Sequence, residues 1–244
     1  RGEFEDVYVT TTASAHKRYN RFRLACGLKA LPDRQFLETS PHLNLLLAPS
    51  AIRYDRATSL PEETFVFLEG CVREEAHFDP PTLPMNNGPI VYLSFGSLGA
   101  IDTALISRMI HVFATLPARF YVNVGGFLER YDQVPDNVFL GSWFPQPSIV
   151  EQAALFIHHG GNNSYCEALY FGVPSLIVPY CWDGDDMALR AELSGSGKRL
   201  VRADWNPDQL AWMINALLGN SEMQSLLKGI SSQMKAAPGS IQAS

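Results

Sequence analysis

The feature that most constrains the fold is a short apolar run that ends on two glycines and leads into a polar helix start, in residues 154–167 (ALFIHHGGNNSYCE). The apolar run 154–157 is too short for a helix and predicts a buried parallel strand. The pair Gly160-Gly161 permits a tight turn and the close approach of a ligand to the backbone. Residues 162–164 (Asn-Asn-Ser) are predicted to supply side-chain caps for the first helical N–H groups.

A helix that begins at this turn is predicted to bind phosphate. Its dipole places partial positive charge at the N-terminus, so an anion is stabilised there without a lysine. Ser164 and Glu167 are three residues apart and share one face of this helix, so a hydroxyl and a carboxylate point toward one ligand.

Strand and helix patterns alternate through the second part of the chain. Apolar runs that end at glycines alternate with stretches of helical periodicity, and Asp102 is expected to cap the first of these helices. The predicted strands are 90–95, 119–124, 138–140, 154–157 and 175–178, and the predicted helices are 102–113, 148–153, 185–193, 207–218 and 222–234. This alternation predicts an α/β fold, a Rossmann-like parallel sheet with helices on both faces and ligands at the carboxyl ends of its strands.

The first part of the chain has too few elements for an α/β core of its own. It is predicted to contain a helix near 17–24 and strands at 43–47 and 64–68. Prolines at 80–84 and the Asn-Asn-Gly at 86–88 are typical of a linker. We therefore divide the chain into an incomplete domain (1–84), a linker (85–89) and a ligand-binding domain (90–244). The first four residues (Arg-Gly-Glu-Phe, 1–4) resemble a cloning remnant.

The composition excludes several classes of protein. The 244 residues carry a formal charge of −6 and no basic cluster, which argues against a nucleic-acid surface. The four cysteines have no paired spacing, so neither a disulfide framework nor a metal site is predicted. No segment is long enough to span a bilayer, and no apolar leader begins the chain, so we expect a cytoplasmic protein.

In its C-terminal part the chain resembles the UDP-glycosyltransferases (glycosyltransferase family one, the GT-B fold). Their nucleotide-sugar motif runs roughly W-x-P-Q, H-x-G-x-N-S-x-x-E, G-V-P, P and D-Q. The matching residues are Trp143, Pro145, Gln146, His159, Gly161, Asn163, Ser164, Glu167, Gly172, Val173, Pro174, Pro179 and Asp183. So many matches in order make the resemblance specific, whereas a single glycine loop would not.

The resemblance implies a role for each of these residues toward a UDP-sugar. Trp143 would stack on the uracil ring, with Phe144 and Gln146 beside the uracil and ribose, and Glu167 would accept hydrogen bonds from the ribose hydroxyls. The remaining UDP-binding residues would hold the diphosphate, and they are Ser97, His159, Gly161, Asn163 and Ser164. His158, one place earlier on the strand, is expected to be structural.

The segment Asp183-Gly184-Asp185-Asp186 has three interpretations. The resemblance places Asp183 and Gly184 at the donor sugar, where the family has Asp-Gln, so the identity of the sugar is left open. A D-x-D pair could instead hold a divalent cation against the diphosphate. Otherwise, the acids only begin a helix, which its dipole favours. We expect no metal and no cofactor, because helix N-termini take the place of a metal in this family.

The resemblance implies a transferase that moves a hexosyl group from a UDP-sugar to a small-molecule acceptor hydroxyl with inversion. The general base is expected in an N-terminal half that is not in this chain, so the chain is expected to bind UDP and to transfer sugar poorly, if at all. Alternatives are an inactive UDP-binding or antigenic fragment, or a sugar-nucleotide epimerase of similar fold, against which the Trp-x-Pro-Gln stretch argues. The face that the other half would cover is a candidate homodimer surface.

Overall fold

The computed structural model describes residues 2–33, 35–54, 56, 58–85 and 87–243. Two residues named in the sequence predictions, Arg1 in the cloning remnant and Asn86 in the linker, lie outside these ranges. The strands are β1 (Asn44–Leu46), β2 (Phe65–Phe67), β3 (Ile90–Ser94), β4 (Arg119–Asn123), β5 (Val138–Gly141), β6 (Leu155–His158), β7 (Ser175–Ile177) and β8 (Gly197–Arg199). The helices are α1 (Gly2–Ala25), α2 (Gly96–Gly99), α3 (Thr103–Phe113), α4 (Gln146–Gln152), α5 (Asn162–Phe171), α6 (Gly184–Ser194), α7 (Pro207–Leu218), α8 (Ser221–Ala236) and α9 (Gly239–Gln242).

The larger sheet is parallel throughout and has the strand order β5-β4-β3-β6-β7-β8. The chain moves outward from β3 to β5 and then returns to the other side of β3 with β6. This order is that of a doubly wound Rossmann sheet, in which a crevice opens where the strand order reverses. The crevice here lies between the carboxyl ends of β3 and β6, where Ser94 pairs in register with His158.

Both faces of this sheet are covered, as its continuous apolar strands require. Successive residues of β3 point to opposite faces, so Val91 and Leu93 join one buried cluster and Tyr92 joins the other. The predicted α/β class and parallel sheet are confirmed. The Asp102 side chain accepts a hydrogen bond from the N–H of Leu105 (3.0 Å), which is the predicted cap of α3.

Sequence periodicity placed the other strands of this sheet, except β8, and its longer helices to within a few residues, but it did not predict the four-residue helices α2 and α9. Strand β8 was not predicted, because Gly197-Lys198-Arg199 is a polar edge strand with two exposed side chains and no apolar pattern. A C-terminal cap lies just before this strand. Gly195 ends α6 in the left-handed conformation, with φ at 72°.

The chain separates into two compact units, one of residues 1–44 with 59–66 and one of residues 45–58 with 67–244. In the first unit, α1 is much longer than the predicted 17–24. The segment after α1 folds back onto it, because the Asn20 side chain bonds both the N–H and the C=O of Leu31 and Arg23 bonds the C=O of Lys29. Residues 67–89 lie in the second unit, and the predicted domain division at 85–89 stays a prediction. Among the described helices, none has the length and apolar character that crossing a membrane requires.

Candidate functional site

Four helices begin along the carboxyl edge of the large sheet. They are α2, α4, α5 and α6, and each follows a strand or its turn. The N–H groups of the first helical turn have no partner within their own helix, so this edge presents a set of positively polarised backbone groups.

The start of α5 depends on two glycines. Gly160 has a φ of 90°, and a Cβ on it would lie 2.8 Å from the carbonyl oxygen of Gly184. Gly161 is the N-cap, and the first backbone bond of the helix runs from the Tyr165 N–H to the Gly161 C=O (3.1 Å). Any side chain at Gly160 would be strained and would collide with backbone, so the turn requires glycine there.

The predicted side-chain capping at residues 162–164 is wrong. No side-chain cap bond is formed at α5, since its N-cap is Gly161. Asn162 instead donates to the C=O of Leu47 (3.1 Å), and the Ser164 Oγ accepts from Gln146. The N–H groups of the first turn therefore lack the side-chain partners that were predicted for them, which leaves them suited to an anion.

Gln146 joins two of the predicted site residues. Its Nε2 donates to Ser164 Oγ (3.1 Å) and to Glu167 Oε2 (2.6 Å). Gln146 begins α4, and the two others lie one turn apart on α5, so the first turns of two helices are fixed against each other. Glu167 is 3% exposed. A buried carboxylate requires such partners because desolvation of its charge is costly.

Arg73 completes this cluster and was missed by sequence reasoning. Its Nη1 donates to Glu167 Oε1 (2.9 Å), and its Nε donates to Glu75 (2.6 Å). Burial raises the pKa of the Glu167 carboxyl above its ordinary value, while the Gln146 hydrogen bond and the Arg73 charge oppose this rise. Arg73 lies in a charged stretch far from every motif, and the only sequence signal is a basic residue among acids.

The two neighbouring histidines have different environments. His158 is fully buried, its Nδ1 accepts the N–H of Gly160 (3.1 Å), and its Nε2 therefore carries the proton shared with Ser175 Oγ (3.1 Å). Burial lowers the pKa of His158 to about 3. This histidine is structural, as the sequence indicated.

His159 lies at the crevice itself, against two glycines. A Cβ at Gly96 would lie 3.3 Å from its Cε1, and one at Gly161 would lie 2.7 Å from its Nε2. Burial lowers the pKa of His159, and the charge of Asp183 opposes this effect. A neutral imidazole in this place offers one N–H to a ligand.

A second arginine near His159 was also missed. Arg202 follows β8, and its Nη2 donates to Asp102 Oδ2 (2.9 Å). Its guanidinium carbon lies 4.5 Å from the centroid of the Tyr180 ring, and its charge contributes to the lowered pKa of His159. Arg202 thus brings positive charge to the same edge of the sheet from a segment that matches no motif.

The aromatic residues after β5 are oriented differently from each other. Trp143 is 68% exposed, so it is not a core tryptophan. Phe144 is 2% exposed and packs edge-on against Tyr92, with ring centroids 5.6 Å apart. Any contact of Phe144 with a nucleotide would therefore be through its backbone.

The remaining predicted residues lie at two other helix starts. Ser97 is exposed in α2, and Asp183 is the N-cap position of α6 without a side-chain cap bond. The acids after Asp183 face separate partners, since Asp185 pairs with Arg199 and Asp186 pairs with Arg190. In the described part of the chain, no group of three or more His, Cys, Asp or Glu side chains is arranged to hold a metal ion.

Several known proteins are similar to this chain over much of its length. Residues 121–242, half of the chain, match the family described as "Erythromycin biosynthesis protein CIII-like, C-terminal domain". Similar curated proteins include the oleandomycin glycosyltransferase of Streptomyces antibioticus, 25% identical over 222 residues (90% of this chain and 51% of that protein). Another is the uncharacterized UDP-glucosyltransferase YojK of Bacillus subtilis (strain 168), 26% identical over 181 residues (73% of this chain and 45% of that protein).

Solved structures give the same fold. The glycotransferase of kitacinnamycin superposes with a TM-score of 0.84 at 23% identity, over all of this chain and 64% of that one. The spinosyn rhamnosyltransferase SpnG, complexed with thymidine diphosphate, gives 0.69 at 20% identity, over 90% of this chain and 58% of that one. The fold is that of the GT-B glycosyltransferases. The chain belongs to the erythromycin CIII-like family of these enzymes, and it spans about half the length of the curated relatives that it matches.

Proposed function

We propose that this chain binds the pyrimidine nucleoside diphosphate part of a sugar donor at the carboxyl edge of its large sheet. The observation that carries the proposal is the bridge from Gln146 to Ser164 and Glu167, which assembles three motif residues on two helix starts. Such a site offers hydroxyl, amide and carboxylate groups beside unpaired backbone N–H groups.

Glu167 suits a ribose because a carboxylate accepts two hydrogen bonds from neighbouring hydroxyls. Its partners Gln146 and Arg73 hold it in place before the ligand arrives. Ribose hydroxyls would replace or join the arginine, whose side chain is 52% exposed.

The diphosphate would bind at the start of α5. The backbone N–H groups of residues 162–164 begin this helix, His159 lies against Gly161, and Arg202 adds positive charge near His159. Ser164 would add its hydroxyl. Donors fixed before the reaction stabilise charge that develops on a leaving diphosphate. We propose that these groups suffice without a metal ion or a cofactor.

The exposed indole of Trp143 would stack on the pyrimidine, and Asp183 with the Gly184 backbone would contact the donor sugar. Uracil and thymine both fit this proposal, since stacking does not distinguish them. The relatives include a UDP-glucosyltransferase and the oleandomycin glycosyltransferase by name, and the structure of SpnG is a complex with thymidine diphosphate.

For the whole protein we propose transfer of a hexosyl group from the nucleotide to a hydroxyl of a small-molecule acceptor, with inversion. We propose that the acceptor binds outside these 244 residues and that the general base also lies outside them. The chain alone would therefore bind the donor and turn it over poorly. Adding a separately produced N-terminal half would then restore transfer.

The test is isothermal titration calorimetry of the purified chain with UDP, dTDP, UMP and ADP, in the presence of EDTA. The proposal predicts saturable binding of UDP or dTDP, about tenfold or more tighter than UMP because one phosphate fewer is held. Tighter binding of ADP than of both pyrimidine diphosphates would overturn it. Equal binding of UDP and UMP, or no binding by folded protein, would do the same.

A further inference from the structure

The loop between β7 and α6 contains a tryptophan in an unfavourable backbone conformation. Trp182 has a φ of 53°, and among the described residues it is the only one other than glycine with a positive φ. In this region the Cβ of an L-residue crowds the following carbonyl oxygen, which costs free energy. Residues held in this way cluster at ligand sites, where the conformation has a use.

Packing does not explain this conformation. The Trp182 side chain is 79% exposed, and no ring contact or hydrogen bond with the other described residues holds it. Its neighbour Tyr180 differs, because its ring lies against the guanidinium of Arg202. The loop therefore fixes one aromatic ring and presents the other to solvent.

The same loop lies against the phosphate-binding turn. A Cβ on Gly184 would be 2.7 Å from the carbonyl oxygen of His159, and a Cβ on Gly160 would be 2.8 Å from that of Gly184. The two backbones are in direct contact, so a group joined to a phosphate at this turn would lie beside residues 182–184. Position 184 has no room for a side chain, which leaves Trp182 and Asp183 as the side chains that the loop offers.

We propose that Trp182 is a specificity-determining residue whose indole face stacks on the pyranose ring of the donor sugar. The face of an aromatic ring carries partial negative charge and attracts C–H groups that neighbouring oxygens have made positive. Asp183 accepts from hydroxyls at the edge of the sugar, while Trp182 covers its apolar face. This inference rests on the proposed function, since it needs the nucleotide at the adjacent turn.

The experiment compares the binding of UDP with that of UDP-glucose to four proteins by calorimetry. They are the wild-type chain, Trp182→Gly, Trp182→Phe and the control Trp212→Ala, which removes another tryptophan that is 68% exposed on α7. Trp182→Gly removes the indole and suits the positive φ, so its melting temperature should not fall below that of the wild type.

Trp182→Gly is expected to keep the affinity for UDP within about twofold of the wild type. It should bind UDP-glucose about fivefold more weakly or worse, which is the range of one aromatic contact. Trp182→Phe keeps most of the affinity for UDP-glucose, and Trp212→Ala changes neither ligand. If Trp182→Gly changes the binding of both ligands equally, or changes neither, the proposed role of Trp182 is overturned. Binding of UDP by the wild type would in that case still support the donor site. Wild-type protein that is folded and binds no UDP would remove the proposed function and this inference with it.

Discussion

The amide Nε2 of Gln146 lies 2.6 Å from Oε2 of Glu167 and ties the first turn of α4 to the buried carboxylate of α5. A glutamine amide can donate to two acceptors, and here the second is the hydroxyl of Ser164 at 3.1 Å. The three side chains therefore form one unit, and the proposed ribose site is built before any ligand binds.

Removing the charge of Glu167 should weaken nucleotide binding with little effect on the fold. In Glu167→Gln the amide accepts less strongly from ribose hydroxyls and places a second amide beside Gln146. We expect UDP to bind about ten- to thirtyfold more weakly, as for the loss of a hydrogen bond to a charged group. Calorimetry measures this effect, and Glu151→Gln, an exposed acid on α4, is the matched control. Equal affinities of Glu167→Gln and wild type would exclude Glu167 from the ribose site.

The raised pKa of Glu167 makes both stability and binding depend on pH. Because the folded state holds this proton more tightly than the unfolded state, the group's contribution to stability is present below its ordinary pKa of 4.5 and is lost as pH rises through the raised value. The melting temperature of wild type relative to Glu167→Gln should therefore decline from about pH 4 to pH 8.

Binding should show the opposite trend, because ribose hydroxyls donate to the ionised carboxylate. As pH falls toward 4.5, UDP should bind the wild type more weakly. The affinity of Glu167→Gln for UDP should change much less with pH. If the difference in melting temperature between the wild type and Glu167→Gln does not change with pH, Glu167 is not a buried carboxyl with a raised pKa.

The Arg73–Glu167 pair should be measurable as a coupling energy. Among the described residues, Arg73→Met leaves the carboxylate with Gln146 as its remaining hydrogen-bond partner, so the free energy of unfolding should fall. In the Glu167→Gln background the same change should cost little. We expect a coupling of about 1–2 kcal/mol in urea unfolding, below that of a fully buried pair because half of the arginine side chain faces water. Additive effects of the two substitutions would show that the pair contributes nothing.

The position of His159 should depend on the missing side chain at Gly161. A Cβ there would lie 2.7 Å from His159 Nε2, so Gly161→Ala should push the imidazole out of the crevice and weaken UDP about tenfold. The fold should survive, because Gly161 has a φ of −60° that alanine adopts readily. Gly126→Ala, where a Cβ would meet nothing within 4 Å, is the control. Unchanged affinity in Gly161→Ala would remove His159 from the diphosphate site.

Much of the ligand-binding half was predictable because its signals are local. Apolar runs closed by glycine placed β3, β4 and β6, and the order of motif residues placed Trp143 and Glu167 at one edge of the sheet. Strand β8 carried no such signal, since a polar edge strand has no periodicity. The resemblance itself was confirmed by the family match over residues 121–242.

The parts of the site that the sequence did not reveal depend on long-range packing. Arg73 is 94 positions from Glu167, and Arg202 reaches Asp102 across 100 positions, so no spacing rule connects them. The side-chain caps predicted at 162–164 were wrong because Gly161 already occupies the N-cap and the side chains of Asn162 and Ser164 bond elsewhere. The assigned roles of the site residues and the homodimer surface stay predictions.

The central claim is that the chain binds a pyrimidine nucleoside diphosphate without a metal ion and that the pyrimidine ring stacks on Trp143. One measurement tests it directly. UDP is titrated calorimetrically in EDTA into the wild type, Trp143→Ala and the exposed-tryptophan control Trp212→Ala. Since Trp143 is 68% exposed, its removal should leave the melting temperature unchanged and weaken UDP by about tenfold or more. Saturable binding that Trp143→Ala loses and Trp212→Ala keeps is the predicted result. Binding that is equal in all three proteins, or absent from folded wild type, would contradict the account.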